Sequence, residues 1–253
     1  MNYFLFASFG NDSVALIRWA HLNHLKNVNV VYSNTGWSAP WWEERVAQGK
    51  ALCIRYGFHF TETVSEGMES LVTWKKGWPS NQFQFCTEEL KIKPAEAHMD
   101  KVDPDKEATC LIGIRREEST RRRSFPEFTE ASPRHGGRDL QAPLVTFDTE
   151  RRDTFVEAAG FEVLPHRSME CYPCINANKA DLRLVDEERI QLIEWIEEDM
   201  GFTSKGKPRT MYRPHLKMGA VGIRECVKWA NTKKGKYELP EGDGAGCDSG
   251  YCV

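Results

Sequence analysis

Residues 3–17, Tyr3-Phe4-Leu5-Phe6-Ala7-Ser8-Phe9-Gly10-Asn11-Asp12-Ser13-Val14-Ala15-Leu16-Ile17, decide the fold. Tyr3–Ser8 is short, apolar and aromatic-rich, the pattern of a buried strand. A helix is predicted from about Ser13 to Leu25, with Val14, Leu16, Ile17 and Trp19 among its apolar positions. Between the two, Ser8-Phe9-Gly10-Asn11-Asp12-Ser13 occupies a strand-to-helix turn. Backbone N–H groups at a helix N-terminus, with the helix dipole behind them, receive anions. Gly10 admits a ligand close to the backbone, and the Ser8 and Ser13 hydroxyls add donors for phosphate oxygens. The competing assignment is an ordinary N-cap at Asp12 or Ser13.

Outward from this stretch the pattern repeats. Asn29–Ser33 and Phe58–Thr63 read as strands, with a helix over Trp41–Tyr56 between them. Thr87–Met99 has helical composition, although Pro94 has to kink or start it. Thr109–Ile114 is another buried strand, and Thr149–Ala159 and Asp186–Met200 are helices. Alternating strands and helices predict an α/β fold with an open, mostly parallel sheet covered on both faces. From Arg115 to Arg138 periodicity disappears, as in a long functional loop. The expected organisation is a nucleotide-binding domain over 1–200 and a C-terminal extension over 201–253. Its Gly-rich, cysteine-containing end is expected to be mobile.

The chain has 253 residues, 40% of them hydrophobic and 28% charged, which suits a substantial core and argues against wholesale disorder. No apolar run reaches the ~18 residues of a membrane span. The N-terminal apolar run lacks a basic leader, so a cytoplasmic protein is expected. Net charge is −3, but the basic residues cluster. Five of the nine residues from Arg115 to Arg123 are arginine, and Lys205, Lys207, Arg209, Arg213 and Lys217 form a second stretch. Planar guanidinium forks grip phosphate or sulfate oxygens at two points. Arg115 and Arg122 are the main candidates, because a strand C-terminus aims them at the crevice of an open sheet. Arg116, Arg121 and Arg123 are secondary, and a solvated loop interleaved with Glu117 and Glu118 is the plainer alternative.

Eight cysteines, at 53, 86, 110, 171, 174, 226, 247 and 252, point in a cytosolic setting to metal binding or thiol chemistry rather than a disulfide framework. Cys171-x-x-Cys174 has metal-ligand spacing. Cys53 and Cys110 lie in apolar surroundings and read as packing residues. The histidines, among them His21, His24 and His98, read as core or surface residues.

Ser8-Phe9-Gly10-Asn11-Asp12-Ser13 resembles the nucleotide loop of PP-loop proteins. Its first half is like that of sulfonucleotide reductases, and Asp12-Ser13 is like members that split ATP into AMP and pyrophosphate. Asn34-Thr35-Gly36-Trp37 resembles the family's Asp-Thr-Gly segment, with Asn34 in place of the acid. Gly113-Ile114-Arg115-Arg116-Glu117-Glu118-Ser119, followed by Arg121 and Arg122, looks like its substrate-anion segment. Pro143-Leu144 and the Cys171–Cys174 pair are similar to its later half. The resemblance, over roughly residues 3 to 200, is to the PAPS-reductase-like branch. It implies ATP, or PAPS or adenylyl sulfate, bound with Mg²⁺ against Ser8–Ser13, Asn34, Thr35, Gly36 and Gly113. The second anion then lies against Arg115, Arg116, Ser119, Arg121 and Arg122.

The same resemblance extends to the cysteines. Cys86, ahead of Lys91-Ile92-Lys93-Pro94, is similar to the stretch where iron–sulfur adenylyl-sulfate reductases carry a Cys-Cys pair, but Phe85 replaces one ligand. It implies that Cys86, Cys171 and Cys174 hold a 4Fe-4S cluster, with zinc as the alternative. The tail pair, Cys247 and Cys252, then supplies the fourth ligand, the reactive thiol, or both. Asp12 completes the candidate catalytic set. Three activities are implied as alternatives. One is ATP-dependent adenylation coupled to sulfur transfer, with a sulfur-donor protein and an acceptor such as a nucleic acid. The others are sulfonucleotide reduction and a non-catalytic nucleotide-binding role in a larger assembly.

Overall fold

β1 (Tyr3–Phe6) stands inside a six-stranded sheet whose other strands are β2 (Val28–Asn34), β3 (His59–Val64), β4 (Thr109–Leu111), β5 (Phe128–Ser132) and β6 (Arg138–Gln141). The computed structural model describes residues 2–213 and 221–233. Strand order is β3-β2-β1-β4-β6-β5, and every pairing is parallel except β5 with β6. The predicted open, mostly parallel α/β sheet is therefore present. The strand order reverses direction at β1 and β4, and ligands of such sheets bind outside the strand C-termini at that point.

Side chains of β1 alternate between the two faces, as the strand period requires. Leu5 joins a core with Val14, Leu16 and Ile17 of α1 (Asn11–Leu22) and Leu52 of α2 (Trp42–Arg55). Phe4 and Phe6 join a second core on the other face, with Ala95 and Met99 of α5 (Lys93–Val102). The first core also takes residues from α6 (Thr149–Ala158), α8 (Glu187–Met200) and α9 (Gly222–Ala230). Ile223, Val227 and Ala230 of α9 lie in it, and Arg224 ties that helix to Glu187 and Glu194 of α8.

Three features differ from the sequence reading. The 115–138 stretch carries the antiparallel strand β5, which pairs at the sheet edge with exposed, non-alternating residues and so lacks a period-2 signature. The 87–99 helix is built in sections. They are α4 (Phe85–Thr87), a π-helical stretch over Glu88–Ile92, and α5, with Pro94 in the first turn of α5 where its missing N–H costs nothing. Two short helices, α3 (Met68–Lys75) and α7 (Lys179–Arg183), complete the order. No helix among the described residues is long and apolar enough to cross a membrane.

The nucleotide-type turn is braced by α2. Phe9 takes a left-handed φ of 58°, and its fully buried ring lies 5.7 Å from Tyr32 and 6.1 Å from Phe60. A Cβ at Gly49 would come within 2.1 Å of that ring, so the glycine is what lets α2 close on Phe9. Gly49→Ala should therefore destabilise the protein despite the ~1 kcal/mol gain in helix propensity. Overpacking predicts a net loss of about 1–2 kcal/mol, read as a lower urea midpoint, and an unchanged midpoint would remove the brace.

Candidate functional site

At the end of β1, every carbonyl of the turn is tied down from behind. Ser8 O accepts from Trp42 Nε1 at 3.1 Å and from the Ser168 hydroxyl at 3.4 Å. Phe9 O accepts from Arg45 Nε at 3.0 Å, while Gly10 O accepts from Val14 N at 3.1 Å and from Ser13 Oγ at 3.2 Å. Gly10, which has no side chain to cap with, is the N-cap of α1, and its own N–H donates to Ser8 Oγ at 3.4 Å. The first-turn N–H groups of a helix lack intrahelical partners, which makes this helix end a candidate anion site. Ser13 is fully buried under the turn, so its hydroxyl braces Gly10 in this structure. Asn11 exchanges two hydrogen bonds with the Leu164 backbone, at 2.9 and 3.0 Å.

Arg115, at the end of β4 beyond the buried Gly113, reaches across the switch point. Its Nε donates to Asp12 Oδ1 at 2.5 Å, and both side chains are largely buried. Burial, reinforced by Glu118, pushes the Asp12 carboxyl up to about 6 even with the Arg115 guanidinium beside it. The following residues form two 3₁₀ turns, Arg116–Glu118 and Thr120–Arg122. Arg122 is buried and pairs with Glu118, and Ser119 Oγ accepts from Arg122 N at 3.3 Å. Arg116 and Arg121 lie on the exposed side of the turns. The structure thus brings Arg115 and Arg122 in and leaves Arg116 and Arg121 out.

Asn34-Thr35-Gly36 divides two spaces. Asn34 and Gly36 line a cleft of about 560 Å³ between α2 and the ends of β2 and β3, floored by Tyr32 and Phe60 and edged by Lys50 and Glu62. Asn34 Nδ2 donates to Glu62 at 2.8 Å, and its Oδ1 accepts from Gly36 N at 3.0 Å, where Gly36 has a φ of +62°. The acid missing from the motif is therefore present in space as Glu62. The cleft has the size of a small-molecule site.

Thr35 faces the other way. It lines a cavity of about 20 Å³ with Cys86, Cys171, Cys174, Lys91 and Asn176, room for one water-sized body. Thr35 Oγ1 donates to Glu170 O at 3.0 Å and touches Cys171 Sγ at 3.9 Å. Asn176 N donates to Cys174 Sγ at 3.5 Å, while Asn176 Oδ1 is buried without a partner. Burial pushes the Cys171 thiol up. Beside it Lys91 and Glu170 form a buried ion pair. Three sulfurs, one with N–H support, have the donor chemistry of a thiolate metal site. Their spacing does not close one: among the described residues, no three Cys, His, Asp or Glu side chains stand close enough together to hold a metal ion.

Cys53 and Cys110 are buried packing residues with thiols pushed up to about 12 by burial, and Cys226 is buried on α9. His21 stacks on Tyr56, and His98 bonds Asn29, neither at the crevice. Cys247, Cys252 and Lys217 lie outside the described residues. Arg45, Trp42, Glu118 and the Lys91–Glu170 pair were not singled out by sequence reasoning. A signal existed for Arg45: it lies in the buried stripe Trp42, Arg45, Gly49, Leu52 of α2, where a charge needs a buried partner.

A doubly wound sheet with a strand-to-helix turn at its switch point, faced by a buried arginine, has the architecture in which ligands bind outside the strand C-termini. The chain belongs to the phosphoadenosine phosphosulfate reductase domain family, whose pattern matches residues 2–184. It is 25% identical over 201 residues to a 37.8 kDa protein of Escherichia phage 186 from the gpa 5′ region. The match takes in 67% of this chain, which spans only 58% of the length of that relative. Among solved structures, it is similar to a phosphate complex of phosphoadenylyl-sulfate reductase from Candida auris. The TM-score is 0.45 at 14% identity, over 64% of this chain and 74% of that one. It is also similar to the U34-tRNA thiolase NcsA from Methanococcus maripaludis with its [4Fe-4S] cluster. Here the TM-score is 0.49 at 10% identity, over 94% of this chain and 84% of that one.

The raised Asp12 carboxyl has a consequence for stability. Its folded value lies above the ordinary one, so the native state takes the proton first. The charged carboxylate therefore costs stability above pH ~6, and the cost fades as pH falls from about 6 to about 4. Comparing wild type with Asp12→Asn by denaturation at pH 7 and pH 4, the difference should move in favour of wild type at pH 4 by about 2 kcal/mol. A pH-independent difference would show that Asp12 titrates normally.

Proposed function

We propose that the chain is an enzyme that binds ATP or a related adenine nucleotide with Mg²⁺ at Ser8–Ser13 and uses it to replace an acceptor oxygen by sulfur. What supports this is the turn itself, with its carbonyls pinned from behind by Trp42, Arg45 and Ser168 ahead of a helix end whose first-turn N–H groups would receive the phosphates. Arg115 faces Asp12 directly over the turn, where charge on a departing pyrophosphate would be balanced. The base takes the Tyr32–Phe60 cleft beside Asn34 and Gly36. In the reaction, the acceptor oxygen attacks the α-phosphorus and pyrophosphate leaves. A sulfide donor then displaces AMP, so that a carbon–sulfur bond replaces a carbon–oxygen bond; with a persulfide donor the product is first a disulfide, which a second thiol opens, leaving that thiol and the donor joined as a disulfide.

Cys86, Cys171 and Cys174 make the cavity beside this site the candidate sulfur centre, with Cys247 and Cys252 as further ligand or reactive thiol. A 4Fe-4S cluster does not fit between these sulfurs as they stand, with room for one water-sized body, so a cluster, or zinc in its place, would need the cysteine loops to rearrange around it. A nucleic acid is the candidate acceptor and a sulfur-carrying protein the candidate donor. One observation favours a second reading, sulfonucleotide reduction: Arg115 and Arg122 are both buried at the turn, where they would grip a sulfate. In that reaction a thiolate sulfur bonds the sulfate sulfur and the nucleotide leaves.

Calorimetry with Mg-ATP tests the nucleotide site. A valine side chain at position 10 stands where the phosphate would approach, so Gly10→Val should weaken binding at least ~10-fold, about 1.4 kcal/mol. Undiminished affinity would refute the site. Binding without turnover in any sulfur-transfer or reductase assay would point to the non-catalytic alternative.

Iron and zinc analysis of anaerobically purified protein tests the cysteine set. Cys171→Ser and Cys174→Ser should each abolish bound metal, whereas Cys53→Ser should not. Wild-type protein without either metal leaves the cysteines as redox thiols.

A further inference from the structure

Glu118 is the group in the arginine turns that the proposed reaction does not use. Its Oε2 accepts from Arg115 N at 3.0 Å and also from Arg122 Nη1. One oxygen therefore receives a backbone N–H and a guanidinium N–H, the donor set that a non-bridging phosphate or sulfate oxygen would receive. The surrounding walls stand without it. Arg116 N bonds Val145 O at 3.0 Å, Arg116 Nε bonds Phe125 O at 3.0 Å, and Phe125 N bonds Arg122 O at 2.9 Å. Arg122 is 5% exposed while the Glu118 side chain is 22% exposed, so the arginine is fixed and the carboxylate is the member with room to leave.

We propose that Arg115 N–H and Arg122 Nη1 form a seat for a tetrahedral oxyanion, and that Glu118 fills it as an internal anion that the ligand must displace. This rests on the reading that the arginine turns receive an anionic group of the substrate. It adds a specificity rule. A singly charged carboxylate already satisfies the seat, so only a group that offers more charge and more acceptor oxygens, a phosphate or a sulfate, gains by exchanging with it. Asp12 and Arg115 both feel the Glu118 charge, and the anion that replaces it brings at least as much negative charge to the same place, so the exchange leaves Arg115 facing an anion throughout.

The test is calorimetric affinity of the full chain for inorganic phosphate, sulfate and pyrophosphate, in wild type, Glu118→Gln and the Glu118→Gln/Arg122→Lys double variant. Glutamine keeps an acceptor oxygen for Arg115 N–H, as in a capping box, so the turn survives while the charge on Arg122 goes. Circular dichroism and the urea midpoint check that the variant is folded. The expected result is about ten-fold tighter binding of at least one of the three anions in Glu118→Gln. That gain should be lost in the double variant, because lysine cannot reproduce the fork. Whichever anion gains most identifies the group as phosphate or sulfate. Equal or weaker affinity in Glu118→Gln, including no binding to either protein, overturns the seat. Mg-ATP binding and its loss in Gly10→Val are measured alongside, so the seat can fail while the nucleotide site stands, and the reverse.

Discussion

The crevice depends on one strap of backbone, residues 164–172, hydrogen-bonded across the C-terminal ends of β1 and β2. Leu164 exchanges two bonds with Asn11, Ser168 reaches Ser8 O, and Met169 O takes Ala39 N at 2.9 Å. Glu170 O takes the Thr35 hydroxyl at 3.0 Å, and Tyr172 N bonds Trp37 O at 2.8 Å. Each such bond contributes a net ~1 kcal/mol, but together they fix geometry. The strap that holds the turn also delivers Cys171 and Cys174. Displacing it would move the β1–α1 turn and the cysteine-lined cavity together, so the two stay in register at one end of the sheet.

Around that strap lie three ion pairs, Asp12–Arg115, Glu118–Arg122 and Lys91–Glu170. Buried pairs seldom add net stability, because desolvation consumes the Coulombic gain. These three lie at the strand C-termini, the end of such a sheet where ligands bind. Arg138, fully buried against Asp103 at 2.6 Å, is the contrasting case. It also donates to Asp100 and the Asp103 carbonyl, so each of its three nitrogens is engaged in holding β6 to the end of α5.

What could be read from residues alone was whatever a local pattern carries. The run Tyr3–Ser8, the polar turn after it and the apolar spacing of α1 place the strand–turn–helix without tertiary information, and the inward position of Arg115 follows from its place after a strand. Partners contributed by distant chain could not be read. Nothing near Asn34 announces that Glu62, on the neighbouring strand, supplies the carboxylate, because that depends on the β2–β3 register. The convergence of Cys86 on the Cys171 loop was anticipated through a resemblance, not through spacing. β5 escaped because an edge strand with exposed faces carries no alternation.

Phe9 shows why the turn is rigid. A left-handed φ at a non-glycine residue costs roughly 1–2 kcal/mol, and glycine would remove that cost. The phenylalanine ring offsets it, since full burial of such a side chain is worth about 1.5–3 kcal/mol. Glycine at position 9 would leave the turn free to sample other shapes, and a ligand would then bear the entropy of fixing it. With Phe9 locked between Tyr32, Phe60 and Gly49, that ordering is completed on folding. The same ring backs the aromatic floor of the cleft, so the shape of the turn and the wall of the cleft are set by a single side chain.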